Sequence, residues 1–178
     1  MMKKSVLLFL ALLLPVSIFL FLHFFGRNEF DIPIHYQSAP AEIPADCAIA
    51  YQFPYIVSKT SINLQGPSVI FFASGLSIDA FRESAFQLDR LANEFEKNKP
   101  QLFIIIQSTD SLSLLAQPNA LVLEKNAYEM EQRCVFLANG SRVVMVDSLQ
   151  QIRGLYEAAT LKEVDRLILE LKILFKEY

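Results

Sequence analysis

Histidine and cysteine are scarce in this chain, two of each in 178 residues, and glycine is little commoner at five. Each scarcity removes a class of chemistry. A zinc site asks for three or four Cys, His or carboxylate ligands at short spacings, and neither cysteine has another nearby. No Gly-rich run is present to cradle a phosphate, and "QGPS" does not open a helix after a strand. Excess basic charge is missing as well. The formal net charge of -3 argues against nucleic acid as a partner.

Charge is absent altogether from one long stretch. From Ser5 to Phe25 the chain reads "SVLLFLALLLPVSIFLFLHFF", without Asp, Glu, Lys or Arg. As a helix, a run of this length crosses a hydrocarbon core of roughly 30 Å. Lys3 and Lys4 precede it, and by the positive-inside bias they hold the N-terminus in the cytoplasm. The run exceeds the roughly 7–15 residues of a signal-peptide core, and "HFFGRN" after it offers no small-residue cleavage site. The expectation is a retained signal anchor over 1–25, an extracytoplasmic linker over 26–49 and one domain over 50–178. Cys47 and Cys134 then lie in an oxidising compartment, where an even count fits a structural disulfide. Two free thiols, or a displaced redox or metal pair, are the alternatives.

What is present reads as an α/β domain. "AIAYQFPYIV" alternates and suggests a short strand pair, limited to an edge or a turn by Pro54. "SVIFFA" is an apolar run of strand length, the pattern of a strand buried on both faces. A helix follows, capped by Ser77 or Asp79, with Phe81, Ala85, Leu88, Leu91 and Phe95 along one face. "QLFIIIQS" is a second buried strand, so the unit is parallel with a right-handed crossover. "TDSLSLLAQ" reads as a short helix, "NALVLE" as a third strand and "KNAYEMEQ" as a helical turn. "CVFLA" and "RVVMV" read as a hairpin turning at Asn139-Gly140-Ser141. Thr160 and Glu163 form a capping box, and Val164, Leu167, Ile168 and Leu171 give a helical stripe.

The order β-α-β, hairpin, closing helix is that of a thioredoxin-like fold, and particular residues carry a family resemblance. "RVVMVDSLQQIRGLYEAATLKEVDRLILELKIL" resembles the C-terminal third of SCO/SenC proteins, especially membrane-anchored bacterial ones, with their "vLVD", "RIRGyYd" and "EvdrLilei". "VIFFASGLSIDAFRESAFQLDRL" resembles the same family's "FFFT-x-C-P-x-x-C-P" strand and helix. The resemblance covers roughly Ala50 to Phe175. It implies a thioredoxin-like fold and a role in copper delivery to, and assembly of, the copper centre of cytochrome c oxidase, or in thiol–disulfide exchange. Both family activities rest on a CxxxC pair and one histidine, because thiolates hold Cu(I) and an imidazole lets the site also hold Cu(II).

Carried over position by position, those ligands are missing. Gly75 and Asp79 stand at the two cysteine positions, or Ser77 and Phe81 if the register shifts by two. Gly140 stands at the histidine. The two histidines present, His23 and His35, fall in the anchor and the linker. Ser77 has no histidine base in the domain, and the corner offers Arg82 but no thiol for a peroxidase.

The resemblance therefore implies a single-pass protein of the bacterial inner membrane with its domain in the periplasm. Such a protein binds a partner in respiratory oxidase maturation and is not an enzyme. It has no catalytic or metal residues, and no copper or small-molecule cofactor. The alternative is a copper chaperone or thiol–disulfide oxidoreductase acting through Cys47 and Cys134.

Overall fold

The computed structural model describes residues 2–25, 31–40, 44, 46–47, 49–110, 120–140 and 142–176. They form two units, Met1–Asp31 and Ile32–Tyr178. The first is a helix, α1 (Met2–Phe25), with Pro15 inside it. At 1.5 Å per residue it is about 36 Å long. Its described apolar side chains, among them Leu12, Ile18, Phe19 and Phe24, are exposed. Among the described residues no helix is long and apolar enough to cross a membrane.

The second unit is built on β1 (Ser68–Phe72), whose five residues are all buried. Period-two alternation sends Val69 and Phe71 to one face of the sheet and Ile70 and Phe72 to the other, so both faces need cover. From β1 the chain enters α2 (Ile78–Glu94), then β2 (Gln101–Gln107) and β3 (Ala120–Leu123). Helix α3 (Lys125–Glu129) runs on as a π-helix over Met130–Val135. β4 (Val143–Val146), β5 (Ile152–Tyr156) and α4 (Leu161–Phe175) complete the unit. The sheet order is β3-β2-β1-β4-β5. β1, β2 and β3 run parallel, while β4 is antiparallel to β1 and β5 to β4. The fold is α/β, a five-stranded mixed sheet flanked by helices.

Helices α2 and α4 cover one face. Of the two candidate caps of α2, Ser77 takes the position: its backbone is extended and its Oγ accepts from Ala80 N at 3.2 Å. Phe81, Leu88 and Leu91 of α2 meet Val164, Leu167, Ile168 and Leu171 of α4 over Val69, Phe71 and Ile104. Full burial of each such side chain contributes about 1.5–3 kcal/mol. At the start of α4 the expected capping box is incomplete. Thr160 has the cap conformation, but its side chain makes no cap bond, and Glu163 lies 3.4 Å from Arg166 instead.

The other face is covered mainly by irregular chain, and here two sequence expectations fail. Residues 48–57 form no strand pair among the described positions. Their alternation is real, with Tyr55 and Val57 buried, but their amides bond singly to loop carbonyls, Tyr55 N to Tyr36 O and Val57 N to Gln150 O. Pro54 has no N–H to give. "CVFLA" is not a strand either. Val135 to Ala138 are buried as the end of the π-helix, closed by Leu137 at φ 49. The hairpin is instead β4–β5, turning at 147–151, where Asp147 accepts from Leu149 N and Gln151 N, both at 2.9 Å. The expected short helix at 109–117 falls almost wholly outside the described residues, as does Ser141 of the expected turn. Residues 32–40, read as linker, belong to the second unit: Ile32 is buried and His35 N donates to Ile152 O.

Candidate functional site

Parallel strands β1 and β2 end side by side, and crevices at such ends are where open α/β sheets bind ligands. The turn after β1 is stitched to β2 and the turn beyond it. Gln107 N donates to Ser74 Oγ at 2.6 Å, and Gly75 N donates to Asp110 Oδ2 at 2.8 Å. Gly75 has φ +77, a left-handed backbone that glycine adopts without a Cβ penalty. From just before the antiparallel strand β4, Arg142 Nη1 donates to Ser74 O at 2.8 Å and to Phe72 O at 3.4 Å. Tyr128 of α3 is buried edge-on against the Phe72 ring, and burial raises its pKa against the opposing effect of its bonds to Ser74.

These elements enclose an open, polar cleft of about 780 Å³, whose wall also includes Gln107, Thr109, Glu129, Gln132 and Gly140. Gly75 and Gly140 therefore line the same cleft. Neither would meet another atom within 4 Å if given a Cβ, and Gly140, like Gly75, has positive φ, +79. The cleft has room where the side chains are lacking.

The remaining sequence candidates lie elsewhere. Asp79 is on the first turn of α2, its side chain 96% exposed, and 3.8 Å from Arg82. In the shifted register, Ser77 is the cap and Phe81 is a core residue. Cys47 and Cys134 are joined to each other, Cα atoms 5.5 Å apart, away from the cleft lining. His35 is half-buried, and burial lowers its pKa, opposed by Glu170 and reinforced by Arg166.

Sequence reasoning missed Arg142, Tyr128 and Glu129, and it placed Asp110 only within the expected short helix "TDSLSLLAQ". The signal for Arg142 was available: it is the charged residue that opens the apolar run "RVVMV", at the end of the strand nearest the β1 corner.

Copper does not fit this donor set. Gly75 and Gly140 contribute no donor atom, and the carboxylates of Asp110 and Glu129 are hard ligands unsuited to Cu(I). Among the described residues no group of three or more His, Cys, Asp or Glu could hold a metal ion. Compared with known proteins, the chain matches no family and no curated protein.

Proposed function

We propose that this is a membrane-anchored, thioredoxin-like protein of the SCO/SenC type whose corner binds without reacting, acting as an assembly factor in respiratory oxidase maturation. The observation that carries the reading is the meeting of Gly75 and Gly140 in one cleft at the end of β1. These are the positions that the family resemblance gives to the first cysteine and the histidine. A corner that brings these two positions together without donor side chains is suited to recognition. The sheet order, with α2 and α4 on one face, agrees with a thioredoxin-like assignment. The anchor rests on the uncharged run from Ser5 to Phe25 after Lys3 and Lys4, and it puts the domain in the periplasm.

The test uses the full chain with Cys47 and Cys134 both replaced by Ser, loaded anaerobically with Cu(I) and assayed against a disulfide substrate. The expected result is neither stoichiometric copper nor reductase activity. One equivalent of tightly held copper, or turnover of the disulfide, overturns the reading. Copper or reductase activity in the natural chain alone transfers the function to Cys47 and Cys134. A C-terminal alkaline phosphatase fusion should be active, and an inactive one overturns the orientation.

A further inference from the structure

The arginines of the second unit divide into two kinds. Arg82, Arg90, Arg133, Arg153 and Arg166 each have a carboxylate oxygen 2.7–3.8 Å away. Arg142 has none among the described residues; its bonds go to the main-chain carbonyls of Phe72 and Ser74. It is half-buried and lines the cleft. A half-buried guanidinium with no carboxylate in contact keeps donor capacity for an outside acceptor, and the group carries five N–H donors in a rigid fork. Both recorded bonds leave from Nη1. They fix the plane of the group through one of its three nitrogens.

We propose that this cleft is a carboxylate-binding site anchored by Arg142. The inference rests on the reading of the corner as a binding surface and names what it binds. The planar fork matches a carboxylate or a phosphate bidentately. Asp110 and Glu129 on the same wall decide between them, because two nearby negative charges oppose a dianion more than a monoanion. Gln107 adds an amide group for the remainder of the ligand. A volume of about 780 Å³ accepts a free organic acid or the side chain of a glutamate carried on a partner's chain.

The experiment is an NMR titration of the full-length, ¹⁵N-labelled protein in detergent at constant ionic strength. Probes are sodium acetate, a blocked acetyl-Ala-Glu-Ala-amide peptide, and phosphate at pH 8. Acetate should shift the Arg142 Nε–H and Gly140 N–H resonances saturably, and phosphate should bind more weakly. Arg142→Gln should weaken acetate binding about tenfold or more. Tighter binding of the blocked peptide than of acetate assigns the carboxylate to a protein partner, and equal or weaker binding assigns it to a free acid. Shifts that rise linearly with acetate, or that survive Arg142→Gln, overturn the site. Because Arg142 also holds two carbonyls, Glu129→Gln supplies a check that spares the anchor. It should raise phosphate affinity relative to acetate, and an unchanged ratio overturns the proposal. Copper binding or disulfide turnover by the double-serine chain would end the binding reading while leaving saturable acetate binding in place. Linear acetate shifts end only the carboxylate site.

Discussion

At Gly154, in the middle of β5, the ring of Tyr156 two residues on occupies the space a side chain would need. A Cβ there would lie 2.5 Å from Tyr156 Oη and 2.8 Å from Cε2 and Cζ. The ring has little freedom to move away. Its hydroxyl bonds to Glu170, and the Arg166 guanidinium lies 4.4 Å from its centroid. Burial, with that bond to Glu170, raises the Tyr156 pKa far above its ordinary value. Gly154→Ala should therefore destabilise the protein by about 1–3 kcal/mol, the usual cost of overpacking a filled site. Urea unfolding followed by circular dichroism measures it. A loss within about 0.5 kcal/mol, the ordinary range for surface changes, would mean that the ring yields and that the glycine is incidental.

The π-helical run Met130–Val135 is the element least visible beforehand, and tyrosines secure its end. Tyr51, Tyr55 and Tyr36 hydroxyls donate to the carbonyls of Cys134, Val135 and Leu137 at 3.0, 2.6 and 2.9 Å. The last carbonyls of a helix have no partner within it, and here they are met by side chains rather than water. Tyr55 is the most buried of the three, and burial raises its pKa strongly. Tyr55→Phe keeps the packing and leaves Val135 O without its donor. The expected loss is about 1–3 kcal/mol by urea unfolding, with less for Tyr36→Phe, whose site is half-exposed. Equal losses at both positions would remove burial as the cause.

What could be read in the sequence follows from the same physics. β1, α2, β2 and α4 announce themselves because both faces of one strand and one stripe of each helix are apolar. "CVFLA" misled because a short buried run looks alike as a strand or as a helix end. β5 is hard to read in the sequence although "IRGLY" alternates buried and half-buried, since Gly154 breaks the apolar pattern. At the candidate site, Gly75 and Gly140 were legible through the resemblance. Arg142 was legible only as a charge at the head of an apolar run, because its place in the cleft beside Ser74 exists only in three dimensions.

Across the second unit the two faces of the sheet are held by different means. One has α2 and α4, each with its own hydrogen-bonded backbone. The other has residues 50–64, which lie against Ile70 and Phe72 through Tyr55, Val57, Ile62 and Leu64 with almost no ladder of their own. That segment is tied down at points. Glu131 accepts from Thr60 Oγ1 and from Ser61 N and Oγ at 2.5–2.8 Å, the tyrosine hydroxyls reach the π-helix end, and Cys47 is bonded to Cys134. The covalent tie spans 87 residues, and in the chain-entropy model a loop of that size contributes about 4–5 kcal/mol, an upper bound. The double change Cys47→Ser and Cys134→Ser should lower stability by up to about 4–5 kcal/mol on urea unfolding. It should also act unevenly. Amide exchange at Tyr55 and Val57, whose bonds run to loop carbonyls, should quicken more than exchange in β1, which is paired on both sides. Equal acceleration throughout would mean that the bond acts on the unfolded chain alone. No change at Tyr55 and Val57 would mean that packing and the tyrosine bonds hold the segment without it.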